Sequence, residues 1–260
     1  MFHVKHFRAF LGFFIVSIFS VSVYASAPEQ WQIGFQAPAT PTMERIESLH
    51  NILLIVIGLI ALFVFCLIGY ILWRFRASKN KSPSTRSHNP VLEIIWTTVP
   101  VLILVFIAFP SFKLMYYLDK VPEPEMTIKI SGAMWYWNYE YPEHKIEFDS
   151  RIIKDQDLAD GQIRLLSVDN ELVVPVNTNV RLLFTASDVI HSWGVPAFGV
   201  KKDCVPGRLN EAWIKVTKEG TFYGQCYELC GMDHGFMPVA VRAVSKQEFT
   251  QWLQQQSDES

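Results

Sequence analysis

Cysteine is scarce, four residues in a chain of 260, too few for disulfides to stand in for a hydrophobic core. Net charge is almost absent, −2 at neutral pH, which removes bulk electrostatic binding to nucleic acid as a function. The chain has no Cys-x-x-Cys-His run, hence no attached haem c, and neither an internal repeat nor a low-complexity tract. What it has in excess is apolar: 50% hydrophobic residues, with 19 Phe and 8 Trp. That excludes a disordered chain and implies one or two folded units with a sizeable core.

The apolar residues lie in three early blocks. Phe10 to Val23 follows Lys5 and Arg8 and precedes Ala25-Ser26-Ala27, the pattern of a signal peptide over residues 1–27 that is removed near Ala25 or Ala27. Its helix would rise only about 21 Å, too short to span a bilayer. Ile52 to Trp73 carries no charge and reaches roughly 33 Å as a helix, enough to span. The third block, Val91 to Tyr117, holds Glu93 near its start, Lys113 near its end, and two kink-prone prolines, Pro100 and Pro110. A transmembrane hairpin over 50–118 follows, preceded by an extracytoplasmic segment, 28–49. The loop 74–90 has five Lys and Arg and no acid, which places it on the cytoplasmic side and both flanks outside.

Beyond Val121 the texture changes. Residues 121–260 hold 13 Lys and Arg against 20 Asp and Glu, net −7. Alternating runs such as Thr127–Ile130 and Val180–Phe184, separated by turn residues, predict short strands in a β-sandwich or Greek-key barrel over 121–245. Trp135, Trp137, Tyr139 and Tyr141 alternate and would share one strand face, most of them building the core. Ser245 and Glu248 form a capping box ahead of Phe249, Trp252 and Leu253, so 246–260 reads as a helix and tail.

The densest chemistry is Cys226-Tyr-Glu228-Leu-Cys230-Gly-Met-Asp-His234-Gly-Phe-Met237. Two thiols, an imidazole and a thioether fall in one loop, and His191 ends another predicted strand. A Cys226–Cys230 disulfide would leave His234 and Met237 without a purpose. Zinc takes thiolates and imidazoles, but Met is not its usual donor. Thiolate, imidazole and thioether together form a copper set, although a single blue copper needs only one Cys. Two sulfurs bridging two coppers would employ both.

These residues resemble subunit II of haem–copper cytochrome c oxidases. The likeness covers nearly the whole mature length. It rests on Trp31-Gln-Ile-Gly-Phe35, Pro38-Ala-Thr-Pro41, Leu92-Glu93-Ile-Ile-Trp96-Thr97 and Trp135 to Tyr141. His191-Ser-Trp193, Asp203-Cys-Val-Pro206-Gly207-Arg208 and the cysteine loop complete it. The resemblance implies a two-helix transmembrane hairpin, then an all-β cupredoxin-like domain with a short C-terminal helix. It implies a binuclear copper A centre on His191, Cys226, Cys230, His234, Met237 and the main-chain carbonyl of Glu228. It implies magnesium on the Glu228 carboxylate at the contact with subunit I, a hard oxygen for a hard cation. Trp135 would be where an electron enters, and Glu93 the mouth of a proton path into subunit I. The acidic outer domain would steer cytochrome c, with Glu140, Glu143, Glu147, Asp149 and Asp188 as candidates. Partners would be subunits I and III and membrane lipid, in a bacterial inner membrane with the copper domain periplasmic.

The sequence departs from the family at Tyr227, often Ser; at Cys204, usually Ala; and at Ala133-Met134, where the family has His-Gln. None of these supplies a side-chain ligand. A quinol oxidase subunit would typically lack the copper ligands. A tethered copper carrier would not need the aromatic strand or Glu93. A soluble nitrous oxide reductase domain shares the loop but not the hairpin.

Overall fold

The computed structural model describes residues 26–82 and 84–259, so the signal peptide expected over 1–27 lies almost wholly outside the described residues. Helix α1 runs Pro41–Arg74 and α2 Pro90–Asp119. Both are long and apolar enough to cross a membrane, and none of their most apolar stretch is buried by the rest of the chain. Helix α1 starts nine residues before the expected hairpin boundary at 50. The cause is a cap: the Thr40 hydroxyl accepts from the Met43 main-chain N–H at 3.1 Å and donates to the Phe198 carbonyl at 2.7 Å, with Pro41 in the first turn. Helix α2 stays helical through Pro100 and Pro110. At its start the Asn89 side chain accepts from Val91 and Leu92, while the Glu93 carboxylate accepts from the Asn89 main-chain N–H at 3.2 Å.

Ten strands follow: β1 Met126–Ala133, β2 Tyr136–Tyr141, β3 Ile146–Ser150, β4 Leu172–Pro175, β5 Val180–Ala186, β6 His191–Val195, β7 Val200–Cys204, β8 Asn210–Ile214, β9 Gly220–Cys226 and β10 Pro238–Val244. They form two five-stranded sheets, ordered β3-β2-β1-β5-β8 and β4-β10-β9-β6-β7. Pairing is antiparallel except β1 with β5 and β4 with β10. One core joins the sheets: Ile128, Tyr139 and Phe184 from the first meet Trp193, Phe222 and Val241 from the second. Trp137, Tyr139 and Tyr141 are fully buried, as their alternation predicts. The Tyr141 hydroxyl donates to the Val173 carbonyl and accepts from the Val173 N–H, at 2.8 and 3.1 Å.

Helix α3, Lys246–Glu259, closes the first sheet's aromatic end, with Trp252 5.1 Å and Phe249 6.5 Å from Tyr141 between ring centres. Only half of the expected capping box forms. Ser245 accepts from the Glu248 N–H, but the Glu248 carboxylate pairs with Arg242 at 2.9 Å. The segment before α1 also joins the sandwich. Ser26 bridges to Phe222 along the half of β9 that β6 does not reach, and the Ala39 N–H donates to Ala197. Where hairpin and sandwich meet, the Arg45 guanidinium lies 3.8 Å over the Tyr117 ring, whose edge contacts Trp213.

Candidate metal centre

Two strand ends and one loop assemble the site. β6 opens with His191, β9 ends with Cys226, and the loop from Tyr227 to Met237 returns into β10. Pairing of Trp193 with Cys226 sets the first two donors side by side. Glycines supply the room. A Cβ on Gly132 would lie 2.8 Å from the His191 ring, and one on Gly224 would fall onto the Gly194 carbonyl. Strand β6 therefore lies close against β9, and the imidazole against β1.

The donors converge. A His191 ring nitrogen and both thiol sulfurs lie within 4.8 Å of one another. Cys230 Sγ is 3.6 Å from His234 Nδ1 and 3.5 Å from Met237 Sδ, and Cys226 Sγ is 3.3 Å from the Glu228 carbonyl. The sulfurs stand 3.9 Å apart and all four cysteines are free, so the disulfide reading fails. Two thiolates on a shared ion, with metal–sulfur bonds of about 2.3 Å at a tetrahedral angle, would sit about 3.8 Å apart. His191 is fully buried, its Nε2 bonded to Asp188 at 2.8 Å, and its Nδ1 has no partner. A buried nitrogen without a partner beside two thiols is a ligand position. The donor set therefore fits a soft metal, and its thioether favours copper over zinc.

Electrostatics agree with metal binding. Burial opposes ionisation of Cys226, but the adjoining His191 ring and the Ser192 main chain outweigh it and bring the thiol down to about 7. Burial and the neighbouring Cys226 push Cys230 up to about 12. The first thiolate thus forms readily, and the second needs the charge of a metal. His191 is held above its ordinary value: burial works against protonation, but Cys226 and Asp188 prevail.

Trp135 is missing from the strand it was expected to share. It occupies the turn between β1 and β2, half-buried, and its indole N–H donates to the Cys230 carbonyl at 3.2 Å. Its ring covers Gly231, where a Cβ would come within 3.0 Å. Asp188 ties the two parts together, accepting from the Met134 N–H at 2.7 Å as well as from His191.

The candidate docking acids scatter, because nearness in sequence along a hairpin is not nearness in space. Asp149 pairs opposite Asn138, close to Trp135, and is bridged to Arg151. Glu140 and Glu147 face each other some 17 Å along the strand, with Glu140 bridged to Lys129. Glu143 lies in the turn at the far end of the hairpin, accepting from the Thr127 N–H at 3.1 Å. What composition did not reveal is an apolar rim: Met134, Ile190, Leu229, Met232 and Phe236 are all exposed around the site. Its one trace in the sequence is the run of large apolar side chains inside a polar loop. The Glu228 carboxylate is exposed. Cys204 is fully buried opposite His191 in the strand register, and burial pushes its thiol up to about 12, the behaviour of a small core residue.

A two-sheet cupredoxin-like sandwich carrying this donor loop, on two apolar helices, defines a membrane-anchored copper protein. The comparisons narrow the class. The family model described as cytochrome c oxidase subunit II, periplasmic domain, matches residues 126–244, and that for the transmembrane domain matches 28–114. A probable cytochrome c oxidase subunit 2 of Rickettsia bellii is 49% identical over 97% of this chain and 93% of its own length. Cytochrome c oxidase subunit 2 of Chondrus crispus is 45% identical over 94% and 99%. The crystal structure of the periplasmic domain of subunit II from Bradyrhizobium japonicum is similar at 52% identity and a TM-score of 0.51, covering 54% of this chain and 99% of that one. The chain belongs to the cytochrome c oxidase subunit II family.

Proposed function

We propose that this chain receives electrons from reduced cytochrome c and passes them to haem in subunit I, where dioxygen is reduced to water with proton translocation. The observation that carries this reading is the buried, unpartnered His191 Nδ1 beside two free thiols, a thioether and a second imidazole. His191, Cys226, Cys230, His234, Met237 and the Glu228 carbonyl would hold a binuclear copper A centre. When bound, it supplies a one-electron store shared between two ions. A two-ion centre would give each of the two cysteines a purpose that a mononuclear site would not.

The chain's own residues set the path and the docking face. Trp135, stacked on Gly231 and bonded to Cys230, links the surface to the cysteine loop through one hydrogen bond. The apolar rim, with Asp149 and Asp188 nearby, suits a basic partner that buries a greasy centre and pairs charges at the edge. The Glu228 carboxylate would bind magnesium shared with subunit I, one residue serving two metals through different atoms. Glu93, which caps α2, would lie at the mouth of a proton path into that subunit, and subunit III would complete the assembly. The five cations of loop 74–90 support a cytoplasmic loop and a periplasmic β-domain in a bacterial inner membrane, after loss of the signal peptide by a cut near Ala25 that leaves the paired Ser26 on the mature chain.

The test is metal analysis with spectroscopy on the purified chain. Two coppers per chain and an unpaired electron split equally over both nuclei are expected. One copper, zinc or a disulfide would overturn the reading.

A further inference from the structure

Helices α1 and α2 run antiparallel in a regular register, Arg45 level with Tyr117. Two cavities lie along their seam. The upper, of about 190 Å3, is lined by Arg45, Ser48, Leu49 and Ile52 of α1 and by Pro110, Lys113 and Leu114 of α2. The lower, of about 360 Å3, is wholly apolar and lies between Val56–Ile60 and Val99–Phe106. Stepping down α1 from 45 to 60 while α2 steps up from 117 to 102 places them end to end as one trough. From Ile52 to Ile60 it descends about 12 Å, within one leaflet of a bilayer core roughly 30 Å thick.

The trough changes character along its length. At its upper end two cations meet where the uncharged run of α1 begins, and no acid lines the cavity. Lys113 has no ion-pair partner among the described residues, and Arg45 has only the Tyr117 ring. Both are exposed. Below them every lining side chain is apolar. A phosphate beside an apolar tail, joined in one molecule, matches this gradient. We propose that the trough holds an anionic phospholipid in the leaflet next to the β-domain. Its phosphate sits between Arg45 and Lys113 near the Ser48 hydroxyl, and one acyl chain runs down the seam.

The experiment uses the assembled oxidase in phosphatidylcholine vesicles doped with phosphatidylglycerol whose acyl chain carries a photoreactive group. After irradiation, labelled peptides are mapped by mass spectrometry. Label is expected on 52–60 and 99–106. It should exceed that from the matching phosphatidylcholine probe by on the order of fivefold for each cation. Arg45→Gln with Lys113→Gln removes that preference, and Leu59→Trp, which fills the trough but keeps both cations, removes the label. Millimolar inorganic phosphate leaves the label unchanged, which separates a lipid from a free anion. Equal labelling by both probes, an unaltered Leu59→Trp variant, or no label on the seam (a protein helix filling it) would each overturn the proposal. Should the double variant fail to assemble, the comparison of probes on the native complex and the Leu59→Trp variant still decide.

Discussion

Replacing Asp188 with alanine removes three acceptor contacts at once: to His191 Nε2 at 2.8 Å, to the Met134 N–H at 2.7 Å and to the Val189 N–H at 2.6 Å. The two main-chain donors lie in exposed residues and can turn to water. The His191 ring cannot, being fully buried. Loss of such a partner typically weakens metal binding 10- to 100-fold, about 1.4–2.7 kcal/mol. A second effect opposes it. Asp188 raises the pKa of His191, and a protonated imidazole must lose its proton to bind metal. Removing the carboxylate relieves that competition, but only at pH values where His191 is partly protonated. Well above its ordinary value of 6.5 the ring is neutral in both proteins, and the full loss of orientation is seen. The copper affinity of Asp188→Ala should therefore fall most at alkaline pH, with a smaller deficit in mild acid. Asp188→Asn keeps an oxygen for the Nε2–H and should retain most of the affinity. Competition against a copper chelator across pH measures both. An Asp188→Ala deficit that grows as pH falls, or an Asn variant as weak as the Ala one, would refute the reasoning.

Other outcomes follow from single contacts. In the metal-free domain the depressed Cys226 pKa favours the folded state once the thiolate forms. Stability should rise between pH 7 and 9, from the folded value of about 7 to the ordinary value of 9.0, and Cys226→Ser should abolish the rise in urea titrations. Tyr141→Phe strands a buried carbonyl and N–H of Val173 and should cost about 1–3 kcal/mol, measurable by thermal denaturation. Gly231 has φ of +121°, so Gly231→Ala should cost about 1–3 kcal/mol and lift the Trp135 indole, seen as a shift in its fluorescence. An unchanged emission would mean the ring does not rest there.

The cysteine loop was legible because all its donors lie within twelve residues and one turn gathers them. His191 was legible only as a strand end. Its unpartnered nitrogen depends on β6 meeting β9, a pairing no local pattern encodes. Helix α1 hides its true start because Thr40 is held by Phe198, 158 residues away. Alternation placed Trp137, Tyr139 and Tyr141 in the core correctly and misplaced Trp135, which belongs to a turn rather than a strand. The acids chosen by neighbourhood are spread along the hairpin because each residue of a strand adds about 3.3 Å, which leaves Asp149 nearer Trp135 than Glu140 and Glu147. Glu93, whatever its partner in the complex, also closes the first turn of its own helix.

The bridge between Ser26 and Phe222 has a consequence for the order of events during synthesis. Strand β9, which ends in Cys226, is braced at one end by a residue made roughly 200 positions earlier. The other end of the same edge pairs with β6, and the opposite edge is flanked along nearly its whole length by β10, which is made only after Met237. The Ser26 bridge closes a long loop that encloses the entire helical hairpin, whereas β10 returns through the donor loop alone. When β9 is made, β6 and Ser26 already exist on one of its edges, and the other edge stays open until β10 has emerged. The donor set is therefore held on both sides only near the end of synthesis, once Met237 has been made and β10 has paired with β9.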